Sequence, residues 1–528
     1  MCGISGLLGF SGNDSELDTE LRKMVSCLRH RGPDNTGFWN DPKVGFKIAH
    51  QRLSIIDVSD SGNQPMISNS GRYVIALNGE IYNHNYLRKE LEKSNSSVFW
   101  KGHSDTEVLL EMIDRYGLKK ALVKSDGMFA LALWDKKEKK LTLARDRIGE
   151  KPIYYGFSGP TSNRIFLFGS ELSSLTSWKN FNNKIDLVSL SQLLSYGAIS
   201  APRTIYKGIN QLLPGHLYTL NYANPSEEDL SSPWWLFTSL IESSMENPFS
   251  DEEESLQSLE ETITKSVKQQ SIADVELGSF LSGGIDSSLI TALLQNQSKN
   301  KIRTFTIGFE DRKYDESGYA KKIADCLGTD HTEAILTAAD AFKIIPNLAN
   351  IYSEPFADSS QIATHLVCKE ARSSNLKVAL SGDGGDELFG GYNRYFLGPK
   401  LWESLSVLPF PIRKLGGKII LKIPTGGIDI FSDLVKLNKL GQKTHKLAER
   451  LKYIKNDEGL YFSLIKEWSD PFYLLKNKPN IKENEELPYS LGISLPKTIN
   501  QETVYKMMAY DTLNYLPNDI LTKVDRAS

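Results

Sequence analysis

The first 220 residues alternate short apolar runs with turn-forming residues, a pattern typical of β-strands. The apolar runs include GISGLLGF, VGFKIAH, RYVIALNG, MFALALWD, KLTLARD and RIFLFGS. Helical spacing of apolar residues is limited there to stretches such as 17–29 and 105–117. This mixture predicts an α+β domain whose strands pair in an antiparallel arrangement.

The second half has a different pattern, in which runs typical of buried strands alternate with longer helical stretches. The strand-like runs are VELGSFL, KIRTFTIGF, HTEAIL and NLKVAL, and the helical stretches are 287–297, 315–327, 337–350 and 359–374. This alternation predicts an α/β domain with a parallel sheet, whose ligands bind beyond the carboxyl ends of the strands. Residues 395–500 are basic and leucine-rich, which predicts helical additions.

The change in the predicted pattern of strands and helices indicates two domains. A chain of 528 residues is too long for one ordinary core. Residues 222–255 are rich in proline, serine and acidic residues, as expected of a linker. We therefore predict a first domain at 1–220, a linker region at 221–255 and a second domain at 256–528.

Composition excludes several classes of function. With 62 basic and 65 acidic residues, the chain lacks the charge excess of a nucleic-acid-binding protein. No apolar run approaches the roughly 18 residues that indicate a membrane helix, so we expect no membrane partner. Four cysteines without a CxxC pair indicate neither a disulfide framework nor a zinc site. The N-terminus lacks a signal-peptide pattern, and a cytoplasmic location is expected.

The opening residues MCGIS place Cys2 directly after the initiator methionine. Removal of Met1 would give Cys2 a free α-amine beside its thiol, and such a nucleophile carries its own base. The alternative is an ordinary small residue at the start of a strand. The opening alone does not decide between them.

Two glycine-rich loops follow predicted strands of the second domain. LSGGIDSS, at 281–288, precedes a helix, so its backbone N–H groups and serine hydroxyls suit pyrophosphate, with Asp286 suited to Mg²⁺. It lacks the lysine of a Walker A loop. SGDGGDELFGGY, at 381–392, carries the carboxylates Asp383, Asp386 and Glu387, which also suit Mg²⁺. A tight turn and a solvated acidic loop are the simpler alternatives.

These motifs together resemble the glutamine-hydrolysing asparagine synthetases. The matching segments of the first domain are MCGI, HRGPD, HQRLSIID, NGEIYN, HSDTE, DGMFA and RDRIGEKPIYY. Those of the second are SGGIDSS, TIGF, EPFADSS, SGDGGDELFGGY and LPNDILTKVDRAS. The resemblance implies an N-terminal-nucleophile hydrolase sandwich of antiparallel sheets, followed by a domain like the adenine-nucleotide α-hydrolases.

For the first domain, the resemblance implies that Cys2 attacks the side-chain carbonyl of glutamine while its α-amine accepts the proton. Asn78 and the backbone N–H of Gly79 match the oxyanion hole, and Arg52 matches the residue that binds the substrate carboxylate. The other glutamine-binding positions implied are Leu53, Ser54, Ile55, Ile56, Glu80 and Asp105. Read without the resemblance, Arg52 also suits a surface salt bridge, and Asn-Gly suits a type I′ hairpin turn.

For the second domain, the resemblance implies a nucleotide site with Mg²⁺ at Asp286 and Asp386. The implied ATP-binding residues are Leu281, Ser282, Gly283, Gly284, Asp286, Ser287, Ser288, Ile307, Ser381, Gly382 and Tyr392. Asp383 is implied as catalytic at a position tied to the acyl-adenylate. Many relatives carry glutamate there, so the reach of this carboxylate is shorter by one methylene.

The reaction implied converts glutamine, aspartate and ATP to asparagine, glutamate, AMP and pyrophosphate through an aspartyl-adenylate. Ammonia would pass between the domains through an apolar, water-poor passage. One alternative keeps this chemistry but amidates another carboxylate, such as a sugar acid of a surface polysaccharide, or closes a β-lactam. A second is a non-catalytic glutamine sensor, which intact Cys2 and SGGIDSS disfavour.

The resemblance also implies a further helical segment after LTKVDRAS that carries a catalytic lysine. We therefore expect this sequence to be truncated, to keep glutaminase activity and to ligate poorly unless a lysine such as Lys523 substitutes. A homodimer is a further expectation.

Overall fold

The computed structural model describes all residues except 10–13, 94–97, 161–163, 224, 226–230, 312–314, 430–439, 469 and 477–486. Its strands are β1 Gly3–Gly9, β2 Asn35–Asp41, β3 Phe46–Arg52, β4 Met66–Ile67, β5 Tyr73–Ile81, β6 Gly127–Asp135, β7 Lys140–Arg145, β8 Tyr154–Ser158, β9 Ile165–Gly169, β10 Ile209–Gln211, β11 His216–Asn221, β12 Ser232–Pro233, β13 Leu277–Phe280, β14 Arg303–Phe309, β15 Asp330–Leu336 and β16 Val378–Leu380.

The helices of the described residues divide between the two halves of the chain. Those before residue 250 are α1 Asp14–Ser26, α2 His84–Lys93, α3 Asp105–Tyr116, α4 Leu118–Lys124, α5 Leu172–Thr176, α6 Leu187–Tyr196 and α7 Phe237–Glu246. Those after it are α8 Glu252–Gln270, α9 Ile285–Gln297, α10 Ser317–Leu327, α11 Ala338–Ile344, α12 Leu348–Tyr352, α13 Gln361–Ser373, α14 Gly385–Phe389, α15 Asn393–Ser406, α16 Phe410–Ile420, α17 Thr425–Asp429, α18 Leu440–Leu451, α19 Asp457–Ile465, α20 Thr503–Tyr510, a π-helix at Asp511–Ile520 and α21 Leu521–Ala527.

The first half is a sandwich of two six-stranded sheets, ordered β10-β8-β9-β1-β3-β2 and β12-β11-β7-β6-β5-β4. Every strand pairing within these two sheets is antiparallel, as the sequence predicts. The inner faces form one core, where Phe46 and Trp134 stack with ring centroids 4.3 Å apart.

The outer faces of the sandwich are covered by helices, which explains the nearly continuous apolar runs of its strands. Side chains alternate across a strand, so Val74 and Ala76 of β5 enter the core between the sheets. Ile75 and Leu77 point the other way and join a second core with α2, α3 and α4. Helix α1 covers the opposite face of the sandwich.

The second half contains a four-stranded parallel sheet, ordered β15-β14-β13-β16. Strands β13 and β16 are neighbours, with Leu277 opposite Val378. Because parallel neighbours end at one edge of the sheet, the loops that follow these strands meet there. The multi-domain fold class predicted from the sequence, antiparallel sandwich first and parallel sheet second, is confirmed.

Two predicted segments differ in detail. The helix expected over 337–350 is interrupted by a 3₁₀ turn at Ile345–Asn347, because Pro346 cannot donate the backbone hydrogen bond of an α-helix. The predicted linker contains β12 and α7, and Trp234 within it is buried in the core beside Phe129. The domain limits at 220 and 255 stay predictions.

Among the described residues, none of the helices is both long enough and apolar enough to cross a lipid bilayer.

Candidate active sites

The Cys2 thiol lies in a pocket at the end of the sandwich. The thiol donates to the carbonyl of Leu53 at 3.7 Å and accepts from the Leu53 N–H at 3.4 Å. Burial raises the pKa of the Cys2 thiol, so it is a neutral thiol that needs a base to become a nucleophile. Met1 also lines the pocket, and its removal would leave the α-amine of Cys2 as the nearest base.

The predicted glutamine-binding residues gather around this thiol. Those that line the pocket are Arg52, Leu53, Ile55, Ile56, Asn78, Gly79, Glu80 and Asp105. Ser54 does not line it, and its N–H donates to the Asp34 carboxylate at 2.9 Å. The structure thus brings together residues that span more than 100 positions of sequence.

Asn78 and Gly79 lie within β5, so the hairpin turn that Asn-Gly suggests is not present. Both side-chain polar atoms of Asn78 are buried and have no hydrogen-bond partner among the described residues. Gly79 has a φ of +145°, and a Cβ there would lie 2.0 Å from the Met128 carbonyl oxygen, so only glycine fits. An unpaired buried amide beside a thiol is what an oxyanion hole requires before substrate arrives.

Arg52, at the end of β3, is buried rather than part of a surface salt bridge. Its guanidinium donates to the carbonyl of Ser59 and the side chain of Asn63, each at 2.8 Å, and to the carbonyl of Asp57. No carboxylate within the described part of the chain forms a salt bridge with it. These neutral partners orient the guanidinium while leaving its charge for a ligand carboxylate.

Two carboxyl groups line the opposite side of the pocket. Burial, with the neighbouring charge of Asp105, raises the pKa of Glu80 to about 7. Asp105 begins α3, where Ser104 is the N-cap, and its carboxylate accepts from the N–H groups of Ile81 and Thr106 at 2.8 Å. Burial is also the main cause that raises the pKa of Asp105. Together they suit a ligand ammonium group.

The second site is a cavity of about 430 Å³ at the carboxyl ends of the parallel strands. The predicted ATP-binding residues that line it are Leu281, Ser282, Gly284, Asp286, Ser287, Ile307, Ser381 and Gly382. Asp383 and Asp386 line it beside them. The two glycine-rich loops touch, because a Cβ at Gly382 would lie 2.7 Å from the backbone nitrogen of Ser287.

Three predicted residues are absent from the cavity lining. Gly283 packs against α10, since a Cβ there would meet the Ala320 backbone nitrogen at 2.9 Å. The Ser288 hydroxyl donates to the Gly284 carbonyl at 2.6 Å. The Tyr392 hydroxyl donates to Glu387 at 2.7 Å, which directs it away from the cavity lining.

The cavity is acidic. Among the described residues, its charged lining groups are Asp286, Glu316, Asp383, Asp386 and a single ammonium, Lys523 of α21. Burial and the negative charge of Asp286 raise the pKa of Asp386. Such a surface repels a polyphosphate unless a cation accompanies it.

Lys523 was named from the sequence only as a substitute for the expected catalytic lysine, not among the nucleotide-binding residues. It is buried and donates to the Ser360 hydroxyl at 2.9 Å, with the Asp358 carboxylate at 3.5 Å. Its motif, LTKVDRAS, is one of the segments that resemble the family. Lys523 is at least 235 residues from SGGIDSS, however, and nothing in the adjacent sequence indicates that the two lie at one cavity. Only the packing of α21 against α13 brings it to the cavity.

Buried ion pairs join the two halves of the chain next to Cys2. Arg31 donates to the Cys2 carbonyl at 2.8 Å and binds the Asp525 carboxylate through two bonds of 2.8 and 2.9 Å. Arg31 also pairs with Glu171 at 2.9 Å, and Arg526 contacts the same two acids. These contacts between the halves are ionic. The apolar passage expected for ammonia stays a prediction.

Comparison with known proteins fits this pair of sites. Residues 1–235 match the family described as a glutamine amidotransferase domain, and residues 258–528 match the family described as asparagine synthase. Asparagine synthetase [glutamine-hydrolyzing] 1 of Bacillus subtilis (strain 168) is 32% identical over all of this chain and 77% of its own length. A Methanocaldococcus jannaschii protein, provisionally named asparagine synthetase [glutamine-hydrolyzing] 2, is 31% identical over all of this chain and 98% of its own.

Among solved structures, an allosteric regulatory enzyme of purine biosynthesis matches 64% of this chain and 90% of its own at 15% identity. Its TM-score is 0.34, from which we draw nothing about function.

Fold and sites define a two-domain ligase in which a glutamine amidotransferase domain is joined to an ATP-using synthetase domain. The similarity to asparagine synthetases over all of this chain identifies the family within that class. The chain belongs to the glutamine-hydrolysing asparagine synthetase family, whose members are carbon–nitrogen ligases with glutamine as amido donor.

Proposed function

We propose that this chain hydrolyses glutamine at Cys2 and uses the ammonia to convert aspartate, activated by ATP as an aspartyl-adenylate, to asparagine. The unpaired Asn78 amide beside the Cys2 thiol is the observation that carries the first half of this proposal. The acidic cavity beneath two touching glycine-rich loops supports the second half. Four free cysteines support a reducing, cytoplasmic location.

In the glutaminase half, the Cys2 α-amine takes the thiol proton and the sulfur attacks the side-chain carbonyl of glutamine. The Asn78 amide and the Gly79 N–H stabilise the oxyanion that forms. Ammonia leaves and water then hydrolyses the thioester to glutamate. Arg52 holds the substrate carboxylate, and Glu80 and Asp105 hold its ammonium, so the carbonyl is fixed over the sulfur.

In the synthetase half, an aspartate carboxylate attacks the α-phosphorus of ATP and pyrophosphate leaves into the SGGIDSS loop. The N-terminus of α9 and the N–H groups of the loop bind the leaving anion. Lys523 lies where it can neutralise developing phosphate charge. Ammonia then displaces AMP from the acyl group.

The acidic lining fits Mg²⁺, which binds proteins through one or two carboxylates together with phosphate oxygens. Asp286 and Asp386 would hold it, and it would neutralise phosphate charge. No group of three or more His, Cys, Asp or Glu side chains in the described residues is arranged for a metal, so phosphate and water oxygens would supply the remaining ligands.

The acceptor is tested directly by mass spectrometry of products formed from ATP, glutamine and a panel of carboxylates. We expect the amide on aspartate. If an amidated sugar acid forms and asparagine does not, the acceptor is the sugar acid instead of aspartate, and the rest of the proposed reaction is unchanged.

Asn78→Ala is expected to lower the kcat of glutamate release by about 10²- to 10³-fold and to change the KM for glutamine little. The amide has no other partner to lose, so the substitution removes only a contact made in the transition state. Asn69→Ala, at an exposed amide, is the matched control. A KM effect alone, or equal losses in both variants, would contradict the oxyanion role.

The KM for glutamine is expected to depend on pH through Glu80. Above its pKa of about 7 this group is a carboxylate that pairs with the substrate ammonium, and below it the group is neutral. At pH 6 the KM should be about tenfold higher than at pH 8. Glutamate release measured from pH 5.5 to 8.5 tests this.

Glu80→Gln should flatten that profile, with the KM high throughout. Burial also raises the pKa of Glu150 to about 7, but Glu150 does not line the pocket. Glu150→Gln should therefore keep the pH dependence. If the profile survives in Glu80→Gln, another group governs glutamine binding.

A further inference from the structure

The segment Leu53–Asp57 forms one wall of the glutamine pocket and ends on a residue under strain. Leu53, Ile55 and Ile56 line the pocket, and the Asp57 carbonyl accepts from the Arg52 guanidinium. Asp57 has a φ of +54°, a left-handed conformation that non-glycine residues rarely adopt. Such a conformation persists only where its surroundings hold it.

Part of what holds Asp57 comes from the synthetase half. Asp274 accepts from the Asp57 N–H at 2.8 Å and contacts the His103 ring nitrogen at 2.7 Å through the same carboxylate oxygen. The Asp274 N–H donates to the Ile55 carbonyl at 2.9 Å. Asp274 thus contacts both sides of residue 56 and the loop before α3.

A second residue of the synthetase half supports the same segment indirectly, through Asp34. Lys377 donates to the Asp34 carboxylate at 3.2 Å, and that carboxylate oxygen accepts from the Ser54 N–H at 2.9 Å. The other half therefore contacts this segment directly at Ile55 and Asp57, and through Asp34 at Ser54.

Asp274 and Lys377 each lie just before a strand that leads to the ATP cavity. Asp274 lies three residues before β13, and Lys377 lies directly before β16. These neighbouring strands end in the two loops of the ATP cavity. The same pair of strands thus supports the glutamine pocket at one end and the nucleotide cavity at the other.

We propose that Asp274, assisted by Lys377, is a positioning residue for glutamine, which fixes the Leu53–Asp57 wall and through it the Arg52 guanidinium. The inference rests on the proposed glutaminase function. Asp274 touches no substrate; it acts by keeping the wall and Arg52 in the geometry that binds glutamine. Without it the pocket samples arrangements in which Arg52 is misdirected, so glutamine affinity falls more than turnover.

The test is steady-state glutamate release by purified wild type, Asp274→Ala, Asp274→Asn and Lys377→Ala. We expect Asp274→Ala to raise the KM for glutamine about three- to tenfold, with kcat within about twofold. Asp274→Asn retains an acceptor for the Asp57 N–H and should restore most of the affinity. Lys377→Ala should raise the KM by less, because it acts through Asp34.

Glu276→Ala is the matched control, because Glu276 is an acid two residues along whose side chain is 69% exposed and pairs with Arg303 rather than with the glutaminase half. ATP binding, measured by calorimetry, and Tm should be unchanged in all variants. An unchanged KM in Asp274→Ala, an equal rise in Glu276→Ala, or a fall in kcat alone would overturn the inference. Absence of glutamate release in wild type would instead overturn the proposed function.

Discussion

Cys2→Ala is expected to abolish glutamate release, with a loss of about 10⁴-fold or more, since removal of a nucleophile leaves only binding and the oxyanion hole. Pyrophosphate release driven by added ammonia should stay at the wild-type level, because the ATP cavity is built from the other half of the chain. The measurement is glutamate and pyrophosphate release by the same preparation. Cys27→Ala, at another free and half-buried cysteine, is the control.

Retention of Met1 should mimic the substitution. Met1 lines the pocket, and while it is present the Cys2 nitrogen is an amide that cannot accept the thiol proton. An N-terminal extension that blocks processing is therefore expected to suppress glutamate release and to leave the ammonia-driven reaction. Equal loss with both nitrogen donors would contradict the separation of the two half-reactions.

Asp286→Asn is expected to reduce aspartate-dependent pyrophosphate release at least about 10²-fold, because charge stabilisation through a bound cation is worth several kcal/mol. The change keeps the shape of the side chain and removes a negative charge from the cavity that Asp286 and Asp386 both line. Glutamate release should persist. The assay follows pyrophosphate across a range of Mg²⁺ concentrations.

Asp330→Asn is the control for this second prediction. Asp330 begins β15, at the end of the same sheet opposite the nucleotide cavity, and it is exposed. We expect it to behave as wild type. A rate for Asp286→Asn equal to wild type at saturating Mg²⁺ would exclude Asp286 from the metal-dependent step.

Much of this arrangement could be predicted because its signals are local. Strand runs, the strand–loop–helix order around SGGIDSS and the position of Cys2 each depend on a few adjacent residues. Asp286 and Asp386 were expected at one sheet edge because parallel strands end together, and the structure places both in one cavity. The functional roles of these residues stay predictions.

What the sequence could not supply depends on distant contacts. Asn-Gly has a strong local preference for a turn, yet pairing of β5 with β6 holds Asn78 opposite Ala130 in a strand. Lys523 reaches the cavity only through packing of α21 against α13 within the second half, and Asp274 reaches the glutamine pocket only through contact between the halves. The break at Pro346, by contrast, was available from the sequence, because proline inside a helical pattern predicts an interruption.

The buried ion pairs between the halves have a consequence for how such enzymes are recombined. The first half supplies Arg31, Lys151 and Glu171 to this seam, and the second half supplies Asp525 and Arg526. Exchange of one half with that of a relative would be tolerated where the incoming half supplies an aspartate–arginine pair at this point. An apolar surface there would leave Arg31 without its second acid, a few atoms from the nucleophile. Shuffling of amidotransferase and synthetase modules is thus constrained less by the shape of the seam than by its charges.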